Sequence, residues 1–213
     1  MPLNVTRLAA LAVNMGVALL CALSLSKGSA NAAESVETIV LIRHGEKPPQ
    51  GLGQLNCQGL NRSLRLPAVI KARFGVPAAI FAPNPADQKT DQGIAYDYVR
   101  PLATVEPMAI TFGLPVNTGI GVEDISKLQD KLEDKAYANA LIVVAWEHKQ
   151  LVKLTRKLVK NHGGDPDTVP KWQGDNFDGI YVVRLTRKDG DTTATFQTAQ
   201  QGLNGLSETC PDR

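Results

Sequence analysis

Arg43-His44-Gly45-Glu46 brings together, in four residues, side chains suited to the chemistry of a phosphate ester. Arginine presents a planar fork of N–H donors that matches phosphate oxygens. A neutral imidazole carries a lone pair able to attack phosphorus, and glycine lets a backbone approach a ligand closely. These residues close the apolar run Thr38-Ile39-Val40-Leu41-Ile42, whose β-branched character reads as a buried parallel strand. In open α/β sheets, ligands bind at the carboxyl ends of such strands. A cation, an imidazole and a glycine therefore arrive together where a site is expected.

A second continuous apolar run, residues 140–146, ends directly on Glu147-His148. If the two strands are neighbours, His44 and His148 face each other across one crevice. Arg100 comes from another direction, immediately before Pro101 at an expected helix start, and helix amino termini favour anions. Two guanidiniums and two imidazoles converging on one volume suit a tetrahedral dianion. Each also has a plainer reading: Arg100 as a surface ion pair, His148 as a satisfied core histidine, Glu147 as a salt bridge beneath the site. Metal-ligand spacing is absent, with no H-x-x-x-H or C-x-x-C and an isolated His162, so neither metal nor cofactor is expected.

The elements that must position these groups alternate between strand and helix. A punctuated loop with Pro48, Pro49, Gly51 and Gly53 follows the first strand, and a helix is predicted over residues 60–74. A short strand at 79–82 leads into a polar, proline-marked loop over 83–92. A helix is expected from 99 to 112, bent or restarted at Pro107. A short strand at 114–116 and a helix at 124–132 follow. Residues 149–160 set Leu151, Leu154 and Leu158 on one helical face, with the lysines largely elsewhere as a solvated face. Residues 180–186 and 193–198 flank Lys188-Asp189-Gly190 as an antiparallel hairpin. The alternation predicts an α/β fold, a three-layer α/β/α sandwich around a mostly parallel sheet.

Composition is that of an ordinary folded domain, 43% hydrophobic and 21% charged, which argues against disorder and repeats. The formal charge of +2 is set by the amino terminus, since residues 1–32 hold Arg7 and Lys27 and no acid. The remainder is balanced, so nothing suggests nucleic-acid binding through bulk charge. Arg7, the apolar stretch 8–25 and Ala30-Asn31-Ala32 read as a signal peptide over 1–32, leaving a single domain over 33–213; the alternative is an uncleaved membrane anchor. No later segment is long and apolar enough to span a bilayer, so no stable membrane insertion is expected after cleavage. Processing leaves Cys57 and Cys210, an even pair that invites a disulfide in an exported protein; two free thiols are the alternative. The expected location is periplasmic or secreted.

Four ordered stretches resemble the histidine phosphatase superfamily, which also contains the cofactor-dependent phosphoglycerate mutases. They are Leu41-Ile42-Arg43-His44-Gly45-Glu46; Leu55-Asn56-Cys57-Gln58-Gly59, with Asn56 where the family's L-T-x-x-G has threonine; Arg100 with Thr104, like R-x-x-x-T; and Val143-Val144-Ala145-Trp146-Glu147-His148. The resemblance implies a phosphoglycerate mutase-like fold in which His44 attacks phosphorus and becomes a phosphohistidine. Arg43, Arg100 and His148 would hold the phosphoryl oxygens, with Gly45 at the phosphate, and water would release the product.

The general acid is less defined. Relatives place a carboxylate either between the second arginine and second histidine or directly after that histidine, where this chain has Lys149. Glu147, Glu123 and Asp124 are the candidates, or none. Lys47 reads either as a phosphate contact or as loop cover, and Arg62 as a solvated helix residue in preference to a guard at the site entrance. The expected activity is an exported phosphomonoesterase acting on a small-molecule or glycan phosphomonoester. A mutase-type phosphotransferase and a non-catalytic phosphate- or phosphoglycan-binding protein are the alternatives. Selectivity is expected in residues 48–59 and 84–97, where Tyr96 and Tyr98 would stack on a ligand ring or pack inward.

Overall fold

Strand β1 (Ser35–Arg43) runs through the middle of the molecule, and its residues Ile39 to Ile42 are wholly buried. Both faces are covered, which is why its sequence is an unbroken apolar run and not an alternation. The computed structural model describes residues 34–211, so the expected signal peptide at 1–32 lies outside the described residues.

After β1 the chain forms α1 (Cys57–Phe74), β2 (Ala79–Phe81), a hairpin of β3 (Gln88–Asp91) and β4 (Ile94–Asp97), α2 (Arg100–Phe112) and β5 (Val116–Asn117). It continues through α3 (Ile125–Leu132), β6 (Leu141–Trp146), α4 (His148–Asn161), β7 (Gly179–Lys188) and β8 (Asp191–Gln200). The main sheet has six strands in the order β5-β2-β6-β1-β7-β8. Strands β5, β2, β6 and β1 pair in parallel, then β7 runs antiparallel to β1 and β8 antiparallel to β7.

Successive strand residues face opposite ways, and each face acquires its own core. Val40, Ile42, Ile80, Val143 and Ala145 pack beneath α1 and α2 with Leu66, Ile70, Val105 and Met108. Ile39, Leu41, Ile142, Val144 and Trp146 pack beneath α3 and α4 with Leu128, Leu151, Leu154 and Leu158. Each fully buried valine, leucine, isoleucine or methionine among them contributes about 1.5–3 kcal/mol. The three-layer sandwich read from the sequence is the observed architecture. The β1–β6 register sets Arg43 opposite Trp146, so the residues following both strands leave the sheet side by side.

Several local expectations are corrected. The loop predicted over 83–92 contains β3, which pairs with β4. Its two-residue turn, Gln92-Gly93, has φ of 50° and 87°, the double left-handed geometry of a tight hairpin turn; a glutamine at its first position hid it. Helix α1 begins at Cys57, three residues before the predicted start, because the Asn56 side chain accepts from the Gly59 N–H and caps it. Helix α2 runs through Pro107 without restarting, and the strand predicted at 114–116 forms at Val116–Asn117. Cys57 and Cys210 are joined by a disulfide that ties the carboxyl-terminal tail to the start of α1. Among the described residues, no helix is long and apolar enough to cross a membrane.

Candidate active site

The ladder between β1 and β6 extends one residue past β1, since the His44 N–H donates to Trp146 O at 3.2 Å. The next N–H, that of Gly45, donates to Thr104 Oγ1 at 2.9 Å, and this hydroxyl donates to Arg100 O at 2.7 Å. One side chain on α2 thus joins the Arg43-His44-Gly45 segment to the backbone of Arg100. The close approach that Gly45 permits is to α1: a Cβ there would lie 3.1 Å from Gly59 Cα. A Cβ on Gly59 would in turn lie 2.4 Å from Glu46 O, so the helix start and the loop touch backbone to backbone.

The His44 ring is 4% exposed, and its Nδ1 lies 2.8 Å from Gly45 O. A carbonyl oxygen only accepts, so Nδ1 carries the hydrogen and Nε2 keeps the lone pair. Burial above all, with the positive charges of Arg43 and Arg100, lowers the imidazole pKa to about 3, against the opposing pull of Gly45 O and Glu147. The ring is neutral throughout the physiological range. Tyr98 meets it edge-on with ring centres 6.0 Å apart, and Phe177 lies 6.1 Å away on a tilted plane.

Arg43 is 5% exposed; its guanidinium carbon sits 3.9 Å from the centre of the Phe177 ring and its Nη1 donates to Gly174 O. Burial draws its pKa below the ordinary arginine value; Tyr98 and Glu147 oppose this and Arg100 adds to it. Arg100 is the first residue of α2, as expected, with Pro101 beside it. Its Nη2 donates to Asp91 Oδ2 at 2.8 Å and its Nη1 to Gly51 O at 3.2 Å. Lys47 reaches the other Asp91 oxygen at 3.0 Å, so Lys47 covers the loop through Asp91. Burial pushes the Asp91 pKa up, but hydrogen bonds from Lys47 and Arg100 and their charges bring it below the ordinary value. Gly51 makes this packing feasible, since at φ +81° a Cβ would fall 2.1 Å from Asp91 Cγ.

Glu147 lies beyond the end of β6 and caps α4, accepting from the Gln150 N–H at 3.0 Å. Being outside the strand, it escapes the alternation that would have turned it away, and its charge acts on Arg43, His44 and Tyr98. Its Oε1 is 2.8 Å from His148 Nδ1, an ion-pair distance that is out of line for a hydrogen bond, leaving that nitrogen unsatisfied. Burial pushes the Glu147 pKa up, but His148, the Gln150 N–H and Lys89 bring it down to about 2. Glu147 is therefore a carboxylate near neutrality, with no proton to give. Glu123 is an exposed residue whose carboxylate meets Gln150 and Lys89, and Asp124 is the N-cap position of α3.

Arg62, read from the sequence as a solvated residue, is 1% exposed. It forks onto Glu46, through Nε at 2.9 Å and Nη2 at 2.6 Å, and donates to Asp178, Gln201 and Leu203 O. Helical periodicity placed its Cα correctly, but the distant Asp178 that draws the guanidinium inward left no local signal. Asp91, Phe177 and Gly174 also went unread, because each reaches the site through tertiary packing from a separate loop or hairpin. Tyr98 had a visible cue, two residues before an arginine of the motif.

The fold is phosphoglycerate mutase-like. Solved structures similar to the chain include mycobacterial hydrolase 2 (TM-score 0.55, 10% identity, 76% of this chain and 90% of that one). The phosphoglycerate mutase of Plasmodium falciparum is similar at TM-score 0.52 and 12% identity, over 84% of this chain and 99% of its own. A mycobacterial glucosyl-3-phosphoglycerate phosphatase is similar at TM-score 0.51 and 12% identity, over 77% and 98%. No family model matches the sequence and no curated protein is similar to it.

Proposed function

We propose that the protein is an exported phosphomonoesterase that hydrolyses a phosphate ester through a phosphohistidine on His44. One observation carries this reading: a buried, neutral imidazole whose Nδ1 is held by Gly45 O, leaving Nε2 as a nucleophile close to the charges of Arg43 and Arg100. In the first step the Nε2–phosphorus bond forms and the ester phosphorus–oxygen bond breaks. Arg43, Arg100 and His148 hold the phosphoryl oxygens as charge spreads over them. Water then attacks phosphorus, the phosphorus–nitrogen bond breaks, and neutral His44 and inorganic phosphate result. Glu147 acts in this scheme by capping α4 and setting a negative charge beside His148, and the leaving oxygen takes its proton from another donor or from water.

Among the similar structures, one is a glucosyl-3-phosphoglycerate phosphatase and one a mutase, so the fold is compatible with either outcome. Export favours hydrolysis, because a mutase needs a bisphosphate primer and a glycolytic substrate. The Cys57–Cys210 disulfide and the signal-like residues 1–32 support export. A non-catalytic phosphate binder is favoured by one feature: Glu147, the carboxylate nearest the site, has its pKa lowered to about 2 and so has no proton to give a leaving group.

Release of phosphate from p-nitrophenyl phosphate, compared between wild type and His44→Ala, tests the reading. Hydrolysis abolished by the substitution is expected. Phosphate binding without turnover in the folded wild type would instead identify a binder, and transfer between phosphoglycerate positions without net release a mutase.

A further inference from the structure

We propose that the Tyr98 hydroxyl donates a hydrogen bond to the phosphoryl group held between Arg43 and Arg100, making Tyr98 a catalytic residue outside the four motifs. The proposal rests on the phosphatase reading of the site.

Tyr98 is 1% exposed, and its hydroxyl oxygen is buried without a hydrogen-bond partner. An unpaired buried hydroxyl is destabilising, so its retention calls for an explanation. Its surroundings supply one. The ring stands edge-on to His44, and the Arg100 guanidinium carbon is 5.0 Å from the ring centre. Burial dominates the titration of the phenol, and the positive charges of Arg100 and Arg43 both act on it. The Tyr98 ring thus packs between the nucleophile and Arg100. Arg100 lowers the phenol pKa from close by, and no hydrogen bond of normal geometry joins the two.

The backbone around Tyr98 is fixed. Its N–H donates to Asp87 O at 2.9 Å, and the Arg100 N–H donates to Gly53 O at 2.9 Å. Two further donors share its condition: Arg43 Nε and Arg100 Nε are both buried and unpaired. Arg43 adjoins His44 in sequence, Tyr98 stands edge-on to it and the Arg100 charge acts on it, so three residues near the nucleophile each carry an unsatisfied donor. A tetrahedral group with three non-bridging oxygens is the acceptor that would satisfy them together. Burial, partly offset by Arg100, keeps the phenol well above the ordinary tyrosine pKa. It is thus a permanent neutral donor, which hydrogen-bonds phosphoryl oxygens without adding a third full charge beside His44.

Tyr98→Phe keeps the ring and removes only the donor. Hydrogen bonds to charged groups are worth about 1.5–3 kcal/mol, or roughly 10- to 100-fold. The expected result is a fall of that size in kcat/KM and a similar weakening of orthovanadate binding measured by calorimetry, while the thermal stability of the ligand-free protein rises because an unpaired buried hydroxyl is gone. Because the contact is to non-bridging oxygens, the factor is the same for p-nitrophenyl phosphate and for glycerol phosphate. Rates and vanadate affinity within twofold of wild type would overturn the proposal. So would a loss confined to glycerol phosphate, which would place the hydroxyl on the leaving oxygen. If wild type itself releases no phosphate, the phosphatase reading fails separately, and vanadate binding by the two proteins still decides whether Tyr98 contacts the anion.

Discussion

Arg62 and Glu46 are locked together by a guanidinium fork, with Nε at 2.9 Å and Nη2 at 2.6 Å from the carboxylate oxygens. Glu46 stands two residues after the proposed nucleophile. Arg62 also holds Asp178 at 3.1 Å, next to Phe177, the ring that covers Arg43. The pair thereby couples the His44 loop to the segment roofing the site.

Replacing Arg62 by methionine leaves two buried carboxylates without their cation, Asp178 keeping only the Gly202 and Leu203 N–H groups. Breaking such a network from one side costs about 3–5 kcal/mol. Urea denaturation should show a loss of that size, with Arg62→Lys intermediate because lysine keeps the charge and loses the fork. A methionine variant as stable as wild type would mean that the network does not hold these segments together.

The buried His44 makes stability depend on pH in a definite direction. Its pKa is 6.5 when unfolded and about 3 when folded. Between these values the unfolded chain binds the proton and the native state does not, so this group's contribution to stability falls as pH drops below 6.5. The slope approaches about 1.4 kcal/mol per pH unit. Glu37, raised to about 7 chiefly by burial, acts in the opposite direction over part of this range. The comparison that isolates His44 is therefore wild type against His44→Gln from pH 5 to 8. The wild type should lose stability relative to the variant on acidification, and parallel curves would contradict a neutral buried imidazole.

Sequence reading succeeded where local chemistry and periodicity carried the information. The run Thr38-Ile39-Val40-Leu41-Ile42 marked the central strand because a strand covered on both faces must be apolar at successive positions. Leu151, Leu154 and Leu158 marked the buried face of α4 for the corresponding helical reason. The sequence reading stopped where a contact spans the chain. The Arg100–Asp91 pair depends on a hairpin whose turn lacks a standard signature, and the Arg43–Phe177 stack joins segments far apart in sequence. Glu147 was legible as a residue but not as a helix cap, because that role depends on where β6 ends.

Thr104→Val tests the tie between the two arginine-bearing segments. It removes the acceptor of the Gly45 N–H and leaves that buried donor unpaired, at about 1–3 kcal/mol. A fall in thermal stability should accompany a loss in kcat/KM of roughly tenfold or more, as His44 is displaced. Full activity would show that the loop holds its position without α2.

The Cys57–Cys210 disulfide closes a ring spanning 153 residues. Chain entropy gives such a ring up to about 5 kcal/mol. Cys57→Ser should lower the unfolding midpoint under oxidising conditions and change little once dithiothreitol has reduced the wild type. Equal midpoints under oxidising conditions would mean that the bond constrains only the tail.

The covalent step is the centre of the account, and a rapid alkaline quench during turnover reads it directly, since phosphohistidine survives base. Mass spectrometry of the digested protein should find a phosphoryl group on the peptide carrying His44 in wild type and none in His44→Ala. Steady hydrolysis with no phosphoryl group on His44, or undiminished hydrolysis in His44→Ala, would contradict it.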